Sequence, residues 1–257
     1  MRILITGCNG QLGWELCRRG GERGFDIIAL DIPEFDITDA SQVKFEVSQS
    51  DAYLIINAAA YTAVDKAESE SELAFAVNRD GPANLASYCA EIGIPLIHIS
   101  TDYVFDGNKK VPYLETDPVS PIGVYGRSKA AGETEVRKHL KEHIIIRTAW
   151  LYGIHGHNFV KTMLSLGREK EVLRVVNDQY GCPTNAADLA EASLKIAAQI
   201  SEGSNIAWDT YHYCGAGVTT WHGFAKKIFD LARERHSLMV KKVVPITTDQ
   251  YPTPAKR

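Results

Sequence analysis

A glycine-rich turn that begins at residue 7, directly after a short apolar run, restricts the fold of this chain most. The segment from Gly7 to Gly13 has the form GxxGxxG and separates a predicted strand, Arg2–Thr6, from a predicted helix over residues 11–19. In such a turn the first glycine permits a tight bend, the second lets the backbone approach a pyrophosphate, and the third lets helix and strand pack closely. The pattern predicts a dinucleotide-binding strand–turn–helix unit, although a glycine-rich turn without a ligand is the alternative.

Apolar runs of strand length alternate with amphipathic segments of helix length through residue 150. The predicted strands after the first are 25–31, 52–57, 95–100 and 144–148, and the predicted helices are about 72–92 and 126–140. These strands are apolar throughout rather than alternating, which is typical of parallel strands covered by helices on both faces. We therefore expect an α/β fold with a doubly wound, mostly parallel Rossmann sheet.

The alternation loosens beyond residue 150, where a second region is expected. Its predicted helices are 159–166, 187–198 and one that Thr220 caps and that runs to about 234, and its predicted strands are 173–176, 208–213 and 240–244. We expect residues 1–150 to form the dinucleotide-binding domain, with residues 185–202 returning to it. Residues 151–184 and 203–257 would form a smaller C-terminal α/β substrate-binding region.

The composition excludes several classes of protein. Lys and Arg total 28 against 32 for Asp and Glu, a net charge of −4, so the basic excess of a nucleic-acid-binding protein is absent. The five cysteines form no CxxC, which argues against a metal finger or a disulfide framework and favours a reducing compartment. The apolar runs are too short for a signal peptide or a membrane span. We expect a cytoplasmic protein that binds neither nucleic acid nor membrane.

Asp31 ends the second predicted strand, about 20 residues after the glycine turn, where a carboxylate can bind the ribose hydroxyls of an adenosine. A solvated carboxylate at a strand end is the alternative. No arginine lies within the turn to meet a 2′-phosphate, which favours NADH. NADPH is not excluded, because Arg18 and Arg19 lie nearby in the sequence.

Tyr125 and Lys129 form a YxxxK pattern, which on a helix places a phenol and an ammonium on one face. A nearby cation lowers the pKa of a tyrosine from its usual value of about 10, so Tyr125 could exchange a proton with a carbonyl oxygen. YxxxK alone is common by chance. Thr101 adds weight, because it ends the fourth predicted strand, and ligands of open α/β sheets bind outside the carboxyl ends of strands.

Four longer strings add a family resemblance. They are NAAAYTAVDKAE from Asn57, STDYVFDG from Ser100, RTAWLYG from Arg147 and NDQYGCPT from Asn177. With the glycine turn and YxxxK, they resemble the dTDP-4-dehydrorhamnose reductases, a family of extended short-chain dehydrogenases/reductases, along the whole chain. The resemblance implies an oxidoreductase that uses NADPH or NADH to reduce the C4 ketone of dTDP-4-dehydro-L-rhamnose. The product would be dTDP-L-rhamnose, an activated sugar for bacterial surface polysaccharides.

The resemblance also implies roles for individual residues. Thr101 would hydrogen-bond the ketone oxygen, Tyr125 would protonate it, and Lys129 would hold the nicotinamide ribose and lower the pKa of Tyr125. The implied cofactor site comprises Gly7, Asn9, Gly10, Gln11, Leu12, Gly13, Asp31, Asp36, Ile37, Ala58, Ala59, Ala60, Tyr125 and Lys129. The implied substrate site comprises Val64, Thr101, Asp102, Tyr103, Phe105 and Trp150. Several of these, Val64, Phe105 and Trp150 among them, could instead be core residues.

Metal chemistry is not expected at the centre of this site. Some members of the family hold Mg²⁺ between subunits with carboxylates, and Glu15 matches one of them, with a surface helix carboxylate as the alternative. His155 and His157 lack a cysteine or carboxylate at ligand spacing. The resemblance implies a nucleotide-sugar partner and allows a homodimer. Family members continue beyond the segment that matches residues 251–255, so the C-terminal part of the substrate region is expected to be cut, disordered or absent here.

Two other functions stay open at this point. A nucleotide-sugar 4-epimerase or dehydratase of the same fold would keep NAD bound and regenerate it, although the STDYVF string argues against this class. A non-catalytic regulatory subunit that binds a dinucleotide would need no reactive groups. The intact set of Thr101, Tyr125 and Lys129 argues against this second alternative.

Overall fold

The computed structural model of the chain describes residues 1–235 and 237–256. Within these residues the strands are β1 Arg2–Thr6, β2 Asp26–Leu30, β3 Leu54–Asn57, β4 Leu96–Thr101, β5 His143–Thr148, β6 Leu151–Tyr152, β7 Val172–Val176, β8 Tyr180–Gly181, β9 Thr184–Asn185, β10 Thr210–His212, β11 Thr219–Thr220 and β12 Lys242–Ile246. The α-helices are α1 Gln11–Glu22, α2 Ala40–Ser50, α3 Val64–Ala67, α4 Ser71–Phe75, α5 Gly81–Ile92, α6 Val124–His139, α7 Phe159–Glu169, α8 Ala186–Ser201 and α9 Trp221–Arg233.

Six parallel strands form the central sheet, in the order β10-β5-β4-β3-β1-β2. The chain moves outward from β1 to β2, and then crosses back so that β3 lies on the other side of β1. The strand order therefore reverses between β1 and β3, and open α/β sheets bind their ligands at the carboxyl ends of strands at such a point. The prediction of an α/β fold with a mostly parallel, doubly wound sheet is confirmed.

Helices cover both faces of this sheet, which explains why its strands are apolar on both sides. On one face Val43 and Val47 of α2 and Leu85 of α5 pack in a core with Leu4 and Ile55 of the sheet. On the other face Leu16 of α1 and both Leu189 and Leu194 of α8 pack against Ile3 and Ile56. The helix predicted at 187–198 thus packs beside α1 on the main sheet.

A separate small core forms beyond the main sheet. β7 and β12 pair in parallel, and the buried Met163 of α7 and Phe229 of α9 pack with Leu173 of β7. The division of the chain into a dinucleotide domain and a substrate region stays a prediction. None of the helices within residues 1–235 and 237–256 is both long and apolar enough to cross a membrane.

Several elements differ from the sequence prediction. The helix Ala40–Ser50 was not predicted, because its apolar positions are few; its signal was Asp39, whose carboxylate accepts hydrogen bonds from the backbone N–H groups of Ser41 and Gln42. The long helix predicted at about 72–92 is two α-helices joined by a π-helical segment, Ala76–Asp80. The short elements α3, β6, β8, β9 and β11 also lie outside the predicted set. The other predicted elements agree with the structure to within a few residues at their ends.

Candidate active site

The glycine turn connects β1 to α1 at the carboxyl edge of the sheet. Gly7 has φ of +72°, and a methyl group there would lie 2.5 Å from the backbone nitrogen of Ala59. A methyl group on Gly13 would overlap the Gly7 carbonyl oxygen. Gly10 caps α1 without any side-chain hydrogen bond to the first turn of the helix. The turn therefore leaves backbone N–H groups and the positive end of α1 available to a phosphate.

The adenosine side of the predicted cofactor site lies beside this turn. The carboxylate of Asp31 accepts hydrogen bonds from the backbone nitrogen of Asn9, at 2.8 Å, and from that of Ile32. Asp36 is partly buried, and its carboxylate accepts a hydrogen bond from Thr38, whereas Ile37 is buried against Gly81 of α5. Asp31 thus already holds the glycine turn before it meets any ribose.

The stretch Ala58 to Ala60 follows β3 and lines the same edge. The backbone nitrogen of Ala58 donates to the carbonyl oxygen of Thr6, and that of Ala59 donates to the side chain of Asn57. All three alanines are partly exposed. The close approach of Gly7 to Ala59 explains why small residues occupy both loops.

The end of β4 carries three of the predicted substrate residues. Thr101 is 6% exposed; its hydroxyl donates to Asp102 and accepts from the backbone nitrogen of Tyr103. Burial raises the pKa of Asp102 to about 6, against the lowering effect of its hydrogen bond with Thr101. The ring of Tyr103 meets that of Tyr125 edge to face, with the centroids 5.4 Å apart. β4 therefore ends directly against the helix that carries YxxxK.

That helix is α6, and a side chain from outside the helix caps its first turn. Gly123, its N-cap residue, has no side chain to cap the helix, and Glu68 does so instead by accepting from the backbone nitrogen of Val124 at 2.8 Å. Gly126 lies so close to the Tyr103 carbonyl that a methyl group there would clash. These contacts determine the position of Tyr125 relative to the end of β4.

Tyr125 and Lys129 lie one turn apart on α6, as YxxxK predicts. Burial raises the pKa of Tyr125, and a hydrogen bond with Thr101 lowers it only in part. The amino group of Lys129 lies 2.6 Å from the carbonyl oxygen of Ile99, so it is directed at β4. That Lys129 lowers the pKa of Tyr125 stays a prediction.

A buried ion pair lies one turn further along α6. Glu133 and Arg147 are 0% and 4% exposed, and their side chains form two hydrogen bonds, of 2.8 and 2.7 Å. Ser100 and Arg137 also donate to Glu133. This network connects α6 to β4 and β5. No sequence pattern predicts it, because a single carboxylate in a helix has no local signature.

The remaining predicted substrate residues lie around the same edge. Val64 is partly buried at the start of α3. Phe105 is 5% exposed and stacks on Tyr113 with ring centroids 4.2 Å apart, so its ring is part of the wall behind the site. Trp150 has φ of +48° and stacks on Trp221 at 3.5 Å. The sequence did not point to Trp221, which brings α9 to the site.

The two histidines considered as metal ligands have other partners. The ring of His155 stacks on Trp14 of α1 at 5.2 Å, and its Nε2 lies 2.9 Å from the carbonyl oxygen of Asn9. Asn158 in the same loop donates to the side chain of Gln11. The loop 153–158 therefore lies across the glycine turn and contacts two of the residues predicted to bind the cofactor.

Glu15 is buried, at 2% exposure, rather than a surface carboxylate. Arg18 and Arg19 both form ion pairs with it, at 2.8 and 3.0 Å. Within residues 1–235 and 237–256 no group of three or more His, Cys, Asp or Glu side chains is arranged to hold a metal ion. A surface cavity of about 250 Å³ that Tyr53 and Trp208 line lies at the opposite, amino-terminal edge of the sheet.

Comparison with known proteins gives consistent relatives. The sequence model of the RmlD substrate binding domain matches residues 1–257. A dTDP-4-dehydrorhamnose reductase of Sinorhizobium fredii is 45% identical over 100% of this chain and 86% of its own length. A crystal structure of a dTDP-4-dehydrorhamnose reductase from Clostridium acetobutylicum is 42% identical, with a TM-score of 0.93, over 100% of this chain and 88% of its own. A crystal structure of a dTDP-4-dehydrorhamnose reductase from Bacillus anthracis, in complex with NADP, is 41% identical with a TM-score of 0.93. The match covers 100% of this chain and 87% of that one.

Proposed function

Because the chain belongs to the RmlD substrate binding domain family, we propose that it is an NAD(P)H-dependent reductase of dTDP-4-dehydro-L-rhamnose. It would reduce the C4 ketone and yield dTDP-L-rhamnose for surface polysaccharide synthesis. One observation supports this most: the glycine turn, Thr101 and the Tyr125–Lys129 pair meet at the carboxyl edge of the sheet, where the strand order reverses. Related enzymes from two other bacteria carry the same reductase name.

The residues at this edge fit a dinucleotide. Gly7 and Gly13 let the turn pack tightly, because a methyl group at either would clash with neighbouring backbone. The first turn of α1 has no side-chain cap, so a pyrophosphate can take its N–H groups. Asp31 would bind the adenosine ribose, and Asp36 and Ile37 would contact the adenine. Bound there, a reduced nicotinamide supplies the hydride that the ketone carbon accepts. NADPH and NADH both remain candidates, and a relative's complex with NADP supports the first.

The protein's own part of the reaction is to hold the ketone and move one proton. The hydroxyl groups of Thr101 and Tyr125 would both donate to one carbonyl oxygen, since a hydrogen bond with Thr101 is among the causes that set the pKa of Tyr125. Because burial raises the pKa of Tyr125, its phenol is protonated near neutral pH and can give its proton to the oxygen as the alkoxide forms. Lys129 would then stabilise the phenolate that remains, and bind the nicotinamide ribose.

The nucleotide sugar would lie over the loops that follow β3, β4 and β5. Val64 begins α3, Asp102 and Tyr103 follow β4 and Trp150 follows β5, and the sugar would contact all four. Phe105 would support the wall from behind. A homodimer stays a prediction.

The activity is tested by adding dTDP-4-dehydro-L-rhamnose to the enzyme with NADPH or NADH in turn, and following loss of the reduced nicotinamide. We expect stoichiometric oxidation of at least one cofactor. The variant Tyr125→Phe should lose roughly 10²–10⁴-fold in turnover while it still binds cofactor, because only the proton donor is removed. Tyr53→Phe, at the opposite edge of the sheet, is the matched control and should keep full activity.

Two outcomes would contradict the proposed activity, and a third would contradict the role of Tyr125. Tightly bound NAD that interconverts nucleotide sugars without net oxidation would indicate an epimerase or dehydratase instead. Cofactor binding with no turnover of the ketone would indicate a non-catalytic regulator. Equal turnover by Tyr125→Phe and the parent enzyme would remove Tyr125 from the mechanism.

A further inference from the structure

A row of buried polar side chains crosses the sheet beneath the catalytic helix. Thr6, Asn57 and His98 lie on three adjacent strands in register, as partners of one another, and each is 0% exposed. Thr6 donates to Asn57 at 2.7 Å, and Asn57 lies 3.0 Å from Nδ1 of His98. The other ring nitrogen of His98, Nε2, lies 3.5 Å from the amino group of Lys129. The row thus connects β1 to a residue of the proposed active site.

The hydrogen bonds of this row determine the tautomer of His98. A backbone N–H can only donate a hydrogen bond. The Asn57 atom that accepts from the backbone nitrogen of Ala59, at 3.1 Å, must therefore be the amide oxygen. The amide nitrogen of Asn57 therefore faces His98 and donates to Nδ1. A neutral imidazole that accepts at Nδ1 carries its hydrogen at Nε2. His98 consequently directs an N–H at Lys129.

This arrangement favours an unprotonated amine. An ammonium has three donors and no acceptor, so an imidazole N–H that faces it meets another donor, whereas a neutral amine offers a lone pair. Lys129 is only 2% exposed, and its other partner, the carbonyl oxygen of Ile99, accepts a hydrogen from either form. Burial lowers the pKa of Lys129 to about 8, and it lowers the pKa of His98 far enough that the ring stays neutral.

Other charged groups around the pair act in both directions. Glu133, on the same helix as Lys129, favours the ammonium, but its carboxylate is shared among Ser100, Arg137 and Arg147. Arg137 and the ring of His143 both lower the pKa of His98. Tyr125, one turn away from Lys129, is itself protonated near neutral pH.

We propose that His98, held by Asn57 as its Nε2–H tautomer, is a positioning residue that sets the protonation of Lys129 in the cofactor-free enzyme. This inference rests on the proposed function, in which the Lys129 ammonium stabilises the Tyr125 phenolate after proton transfer. His98 touches neither substrate nor cofactor and acts only through Lys129. The pair would set the pH above which the reductase loses activity.

The variant Asn57→Asp tests the tautomer directly. Its carboxylate can still accept from Thr6 and Ala59, but it offers His98 an acceptor, so the ring would move its hydrogen to Nδ1 and present a lone pair to Lys129. In ¹⁵N-histidine NMR of the cofactor-free protein, we expect Nε2–H in the parent from pH 6 to 9 and Nδ1–H in the variant. The ¹⁵Nζ signal of Lys129 should titrate near pH 8 in the parent and about one pH unit or more higher in Asn57→Asp.

The alkaline limb of kcat/KM should move upward by the same amount. His98→Gln, whose amide oxygen can face Lys129, serves as a second variant should Asn57→Asp fail to fold, and it should shift both titrations in the same direction. His139→Gln removes an exposed histidine of α6 that pairs with Glu135 outside the row, and it should leave both unchanged. An Nδ1–H or doubly protonated His98 in the parent, or a Lys129 titration that the folded variants leave unmoved, would overturn the proposal. The NMR readings need no turnover, so they decide it even if the reductase assay fails.

Discussion

Replacing Lys129 by methionine should stabilise the cofactor-free protein near neutral pH. The pKa of Lys129 falls from 10.5 to about 8 in the folded chain because the amino group is buried. One unit of pKa corresponds to about 1.4 kcal/mol. Burying the charged amino group therefore lowers the free energy of unfolding by about 3 kcal/mol at pH 7. Methionine fills a similar volume without the charge, although it forfeits the hydrogen bond to Ile99, worth about 1 kcal/mol. We expect a net gain of about 2 kcal/mol in the free energy of unfolding.

The pH dependence identifies the cause. Because the folded pKa of Lys129 lies below the unfolded one, the unfolded chain binds more protons between pH 8 and 10.5, so parental stability rises with pH through that window. The gap between Lys129→Met and the parent should therefore shrink across it. Urea unfolding followed by tryptophan fluorescence at several pH values measures both, with Lys227→Met on an exposed face of α9 as control. A variant that is less stable than the parent at pH 7, or a gap independent of pH, would refute the reasoning.

Two further substitutions test the turn and the ion pair. Gly7→Ala should weaken cofactor binding by roughly tenfold or more, equivalent to about 1.4 kcal/mol, because its methyl group meets the backbone of Ala59. Gly24 is the control: it has a similar φ, +80°, but a methyl group there would have no atom within 4 Å. Calorimetry should therefore find the cofactor affinity of Gly24→Ala unchanged. Equal losses in both variants would contradict this. Glu133→Gln should lower the free energy of unfolding by about 3 kcal/mol in chemical denaturation, because the guanidinium of Arg147 is left buried without its counter-charge. Glu135→Gln removes a more exposed ion pair and should lower it by under about 1 kcal/mol. Similar costs for the two would remove the special role of the buried pair.

The sequence was informative where a function needs short, contiguous patterns. The glycine turn and YxxxK each occupy a few consecutive residues, because backbone approach to a phosphate and a shared helical face both depend on local spacing. The apolar strands were recognisable for the same reason, since burial on both faces leaves a continuous run. α2 escaped prediction because its apolar face is weak, although Asp39 was a usable capping signal.

Only the tertiary structure decided how these patterns act on one another. Whether Lys129 acidifies Tyr125 depends on which way its amino group points, and the carbonyl of Ile99 and the ring of His98 determine that from another element. The capping of α6 by Glu68 likewise joins residues that are far apart in the chain. Spacing along a sequence determines which residues can share a helix or a turn. Burial, hydrogen-bond direction and charge at a site arise from segments that meet only when the sheet has formed, so no local pattern can specify them.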